Sequence, residues 1–170
     1  MVCDSHKVDD RQEKNVRSYV PADIAGNRTE PAMSENKTMV NADGSTDWRL
    51  LREFAAVDLT NSFVLSWHLE GAALCIDIDV QLTPDHPFYE EPRPAEKVCI
   101  RPALIEFPHA RRIESEGVSD SQDVAAAIAV LGLGAISGLR RLAGGRYELE
   151  GEFGIVMIAA DRPILRLKRR

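Results

Sequence analysis

The chain has 170 residues, with 27 acidic and 21 basic side chains and a formal net charge of −6. That balance argues against a nucleic-acid binder, which needs a basic surface, and no apolar run reaches the roughly 18 residues of a membrane span. The 3 cysteines, Cys3, Cys75 and Cys99, are odd in number and far apart in sequence, which leaves no disulfide framework and no Cys-x-x-Cys metal knuckle.

Residues 1–46 contain no Leu, Phe or Trp. A segment without large apolar side chains cannot offset the entropy of ordering it, so 1–46 is expected to be a disordered polar tail and 47–170 a single globular domain. Met1 to Val20 lacks the apolar centre of a signal peptide. The expected setting is a reducing cytoplasm with free thiols, where the glycosylation patterns at Asn27 and Asn36 are chance matches.

Ser45, Thr46 and Asp47 offer caps for a short N-terminal helix that docks through Trp48 and Phe54. Phe63, Leu65, Trp67 and Leu69 then alternate with Val64, Ser66 and His68, and after Glu70-Gly71 the residues Leu74, Ile76, Ile78, Val80 and Leu82 alternate with Cys75, Asp77, Asp79 and Gln81. Period-2 burial in both runs predicts a β-hairpin. A two-residue turn at Glu70-Gly71 pairs Trp67 with Leu74, Leu65 with Ile76 and Phe63 with Ile78. The Pro-rich stretch 83–97 is a loop, Val98–Phe107 a strand broken at Arg101-Pro102, and 108–123 a polar connection. A second helix near 121–131, capped from Ser119, Asp120 or Ser121, competes with a strand reading of 123–131. Strands follow at 136–142, 146–150, 153–159 and 163–168, with turns at Gly144-Gly145, Glu150-Gly151 and Asp161-Arg162-Pro163. The expected fold is α+β and mainly β: an antiparallel meander sheet, with a curled or barrel-like form left open.

Charge is unevenly distributed. Residues 47–123 carry 15 acidic and 7 basic side chains, a net of −8, and residues 124–170 carry 4 and 8, a net of +4. If the halves form different faces, the acidic one attracts a basic partner; the plainer reading is solubility.

Several residue groups invite a chemical reading, each beside a structural one. Gly132, Gly134 and Gly138 approach a nucleotide-binding fingerprint, but too little chain follows for a parallel sheet, and bends between strands explain them. Asp77 and Asp79 share one face of a strand, about 7 Å apart, and could hold a divalent cation or simply form its wet side. His68, Cys75 and Asp77 fall on that same face; in the register above His68 lies opposite Ala73 with Cys75 diagonal. A Cys–His pair supports a thiolate or metal site, and a chance triplet on a solvated face is the simpler account. The loop 83–97 gathers Asp85, His86, Tyr89, Glu90 and Glu91 on a Pro-stiffened scaffold suited to partner contact. His86 with Glu90 or Glu91, and His109 from elsewhere, gives a weaker zinc reading. Arg166, Lys168, Arg169 and Arg170 make a basic end without the aromatics of a base-stacking surface.

The order of Leu82-Thr83-Pro84-Asp85-His86-Pro87, a Pro-rich stretch, and strands ending Gly151-Glu152-Phe153-Gly154-Ile155 resembles that of small bacterial proteins, and it implies no activity. The expected function is a non-catalytic protein-interaction domain, in concrete form an immunity-type protein neutralising a basic partner. It has no cofactor, no nucleic acid and no membrane, and a homodimer is one way to cover strand edges. The alternative is a small metal-dependent or hydrolytic enzyme using the 83–97 loop and the polar face of the 62–82 hairpin.

Overall fold

The computed structural model describes residues 41–115 and 123–169. Expectations for residues 1–40, for Ser119, Asp120 and Ser121 as caps, and for Arg170 lie outside them. The strands are β1 (Thr46–Asp47), β2 (Val57–Glu70), β3 (Ala73–Leu82), β4 (Cys99–Phe107), β5 (Arg112–Ser115), β6 (Gly134–Leu142), β7 (Arg146–Gly151), β8 (Gly154–Ala159) and β9 (Ile164–Leu167). All pair antiparallel in one 9-stranded sheet of order β5-β8-β7-β6-β2-β3-β4-β9, with β1 beside β6. The sheet is mainly β as expected, and it is not closed: β5 and β9 are its free ends.

The sheet nevertheless curls on itself. Core residues of both arms fall in one buried cluster, and the rings of Phe107 on β4 and Tyr147 on β7 meet edge-on at 5.3 Å. The bend lies where β2 meets β6, whose ladder pairs Phe63 with Ala135 and Val64 with Gly134 and goes no further. Both strands are irregular here, with register shifts at Asp58/Phe63, Val64/Ser66 and Ile136/Gly138. Extra residues in one strand bend it and raise its twist.

The position of the turn, together with the irregularity at Leu65, overturns the expected hairpin register. The chain turns at Gly71-Ala72, with Gly71 at φ 61°, so Glu70 faces Ala73, Leu69 faces Leu74, His68 faces Cys75 and Trp67 faces Ile76. Leu65 is the extra residue between Val64 (opposite Ile78) and Ser66 (opposite Asp77), and Phe63 lands opposite Asp79. Phe63 and Leu65 are consequently exposed, at 48% and 47%. The inward residues are Val57, Leu59 and Val64 on β2, with Trp67 and Leu69 packed against the core, and Leu74, Ile76, Ile78, Val80 and Leu82 on β3.

Other expectations need smaller corrections. The N-terminal helix is two consecutive 3-10 turns, Trp48–Leu50 and Arg52–Phe54, too short to sustain α-helical bonding. The expected anchors, Trp48 and Phe54, are buried in the core, and Leu51 joins them. Residues 41–46 already carry structure, with Asn41 N–H donating to the Ser45 carbonyl and Thr46 entering β1. The second helix is Val124–Ile128, here α1, capped by Asp123, whose carboxylate accepts from the Ala125 and Ala126 amides. β4 runs unbroken through Pro102. The Pro102 carbonyl accepts from Lys168 N–H, so its missing donor faces the β9 side and the β3–β4 ladder loses nothing. The stretch after Phe107 contains β5, paired along β8. The β7–β8 turn is Glu152-Phe153, and Gly151 pairs with Gly154 before it. Among the described residues no helix is long and apolar enough to cross a membrane.

Candidate functional site

Strand parity places two groups of candidate residues on opposite sides of the β2–β3–β4–β9 arm. The outer face carries Ser66, His68 and Glu70 from β2, Cys75, Asp77 and Asp79 from β3, Leu104 and Glu106 from β4, and Arg166 from β9, with Lys168 just beyond. His68 lies directly opposite Cys75, closer than the diagonal relation expected. Its Nε2 is 3.5 Å from Glu70 Oε1 and its Nδ1 is 3.9 Å from Asp77 Oδ2. Ser66 Oγ donates to Asp77 Oδ2 at 2.8 Å, and Lys168 Nζ donates to Asp77 Oδ1. Arg166 pairs with Glu106 at 2.9 Å. One donor atom each of His68, Glu70 and Cys75 lie within 4.8 Å of one another.

The electrostatics of this face follow from burial and neighbours. Cys75 is 1% exposed. Burial pushes its thiol pKa up, and the charges of Glu70, Glu106 and Asp77 push it further against the opposing Arg166. For Asp77 burial acts upward, but hydrogen bonds from Lys168 and Ser66 and the charges of Lys168 and His68 outweigh it, leaving the carboxyl below its ordinary value. β9 thus interleaves the basic second half of the chain with the acidic first half, so the two halves do not form separate faces here.

The loop 83–97 lies on the other side. Arg101 sits opposite Val80 on the inward parity of β4, its side chain 11% exposed, and its Nη1 pairs with Glu90 Oε1 at 3.2 Å. Tyr89 packs against the core. Burial, then the Arg101 charge, lowers the His86 pKa. The loop backbone is fixed by turns: His86 N–H donates to the Thr83 carbonyl, Tyr89 N–H to the His86 carbonyl, and Phe88 N–H to His86 Nδ1. That last bond occupies Nδ1 of the ring, and Glu90 is engaged by Arg101. Asp85, Glu90 and Glu91 remain exposed, and Phe88 is 64% exposed. A cavity of about 160 Å³ lies beside the loop, lined by Glu90, Glu91, Arg93, Glu96, Cys99 and neighbours.

Other candidates are dispersed. His109 is bound to Asp161 at 2.8 Å in the turn after β4, which Arg111 shares. Gly132 accepts from Trp67 Nε1 at 2.8 Å, and Gly134 and Gly151 sit where chains cross closely: a Cβ on Gly151 would stand 2.4 Å from the Ala135 carbonyl oxygen. These glycines serve backbone approach at bends. Sequence reading passed over Glu70, taken for a turn residue, and Phe88, overshadowed by its charged neighbours. It also passed over Arg101, whose inward parity on β4 was the available signal. No family model, curated protein sequence or solved structure matches the chain.

Proposed function

We propose that the domain is a non-catalytic protein-interaction module, that its contact surface centres on the loop 83–97, and that its partner is a basic protein, as for an immunity-type protein. The observation that carries this reading is Phe88, held 64% exposed on a loop whose backbone is fixed by turn hydrogen bonds. A rigid aromatic side chain loses little entropy on docking and gains much by leaving water. Asp85, Glu90 and Glu91 are exposed around it. An acidic rim speeds encounter with a basic surface, and an apolar anchor slows release. The loop and the polar face of the hairpin lie on opposite sides of the sheet, so the geometry favours a contact surface over a single site drawing on both.

The test is capture of partners by the tagged full chain from its native lysate at low and high salt. One near-stoichiometric basic protein is expected. Phe88→Ala should weaken its binding by about 2 kcal/mol or more, roughly thirtyfold. Asp85→Lys with Glu91→Lys should slow association and flatten its salt dependence. A partner held equally by all variants, or none at low salt, would overturn the reading.

A further inference from the structure

We propose that His68, Glu70 and Cys75 form a zinc site on the outer face of the β2–β3 hairpin, with Asp77 as the carboxylate that orients the imidazole. The register creates it. His68 and Glu70 are two residues apart on β2 and share a face; Cys75 stands directly opposite His68. The turn at Gly71-Ala72 brings this about, since the pairing runs unbroken from it through His68 opposite Cys75.

The donors are an imidazole nitrogen, a carboxylate oxygen and a thiolate sulfur, a set that suits zinc better than magnesium or calcium. Their ligand atoms already lie within 4.8 Å of one another. Tetrahedral zinc with bonds of about 2.0–2.3 Å places its donors roughly 3.3–3.8 Å apart. His68 Nε2 and Glu70 Oε1 meet this at 3.5 Å, and Glu70, 70% exposed, has freedom to complete the closure.

The surroundings support the assignment. Asp77 Oδ2 stands 3.9 Å from Nδ1, the nitrogen that Nε2 ligation leaves free, so a turn of the ring on ligation must close the last distance to a hydrogen bond; Asp77 is itself fixed by Ser66 and Lys168. A carboxylate behind a ligating histidine fixes its tautomer and raises its basicity. Glu106, opposite Cys75, adds negative charge beside the sulfur that Arg166 balances in part. A divalent cation relieves that crowding: zinc takes the place of the thiol proton, which leaves to solvent. Three protein ligands leave a fourth position, and with His68 37% exposed it opens to water.

The experiment titrates the reduced, metal-free full chain with Co²⁺ and then Zn²⁺. One equivalent of Co²⁺ should give tetrahedral visible bands and a near-ultraviolet thiolate-to-cobalt charge-transfer band, both removed by Zn²⁺. Cys75→Ser, checked for folding by circular dichroism, should abolish the charge-transfer band, and Asp77→Asn should weaken affinity about ten- to hundredfold. Cys3→Ser, Cys99→Ser and Phe88→Ala should leave the spectrum unchanged; the last separates this site from the loop surface. Absence of a saturable charge-transfer band, or its survival in folded Cys75→Ser or in His68→Ala at wild-type affinity, would overturn the proposal.

Discussion

Ser62 is the polar side chain on which the bend in β2 rests. It is 0% exposed. Its hydroxyl donates to the Asp58 carbonyl at 2.7 Å and accepts from Gln81 N–H at 3.1 Å. Between Asp58, opposite Gln81, and Phe63, opposite Asp79, β2 has more residues than β3 can pair. The hydroxyl therefore stands in for a missing ladder bond. Asp58 holds the same excursion from the other side, accepting from Thr60 N–H, Thr60 Oγ1 and Asn61 Nδ2. Ser62→Ala keeps the volume nearly unchanged and leaves two part-buried backbone groups, the Asp58 carbonyl and the Gln81 N–H, without this partner. It should cost about 1–3 kcal/mol, read as a lower urea midpoint at unchanged slope. A loss below about 0.5 kcal/mol, the usual size for an indifferent surface change, would show that the bulge does not depend on the hydroxyl.

At the scale of elements, the two 3-10 turns have too few internal hydrogen bonds to persist alone, so docking must hold them. Phe54 is 1% exposed and Trp48 3% exposed within the core cluster, and Arg49 lies over the Trp48 ring at 4.3 Å. Glu53 reaches Arg162 in the turn before β9, tying the segment to the far end of the chain. Phe54→Ala should cost about 3–5 kcal/mol, whereas Leu50→Ala, at a side chain 46% exposed, should stay within about 0.5 kcal/mol. Urea unfolding of both variants checks this, and equal effects would show that Phe54 is not the anchor. These elements also mark what sequence patterning makes legible. Alternation identified both strands of the hairpin and the inward residues of β3, because period-2 burial is written in side-chain type. Register was not legible, because it turns on a bulge fixed by Ser62 and Asp58 and on where Gly71 takes positive φ. β5 went unseen because Arg112–Ser115 offers a single buried apolar residue, Ile113, and owes its strand state to β8. The same logic divides the sites: parity placed His68, Cys75 and Asp77 on one face, while the addition of Glu70 required the true turn.

For the whole molecule, the pH range of stability follows from groups placed by the curl of the sheet. Burial, then the Arg101 charge, lowers the His86 pKa from its ordinary 6.5. The folded state therefore binds that proton less readily than the unfolded chain, and stability falls as pH drops below 6.5. Asp58 acts later. Burial raises its pKa, but hydrogen bonds from Thr60 and Asn61 outweigh this and set it below the ordinary 3.8. Its contribution is complete above 3.8 and is lost as pH falls through the lower folded value. On the alkaline side the order is reversed. Burial raises the Tyr147 pKa from 10.0, so ionisation of the unfolded chain pulls against folding above pH 10.0. Tyr147 is 2% exposed and joins the two arms through Phe107, so its ionisation threatens the contact that holds the curl. Stability, measured as the urea midpoint in the presence of a chelator, should thus decline in two steps on the acid side, the first near pH 6.5. His86→Gln should remove the first acid step and leave the second, which Asp58→Asn should reduce. Tyr147→Phe should blunt the alkaline decline. If His86→Gln retains the full drop between pH 7 and 5, the loop around Arg101 does not exclude the histidine proton, and the first step has another origin.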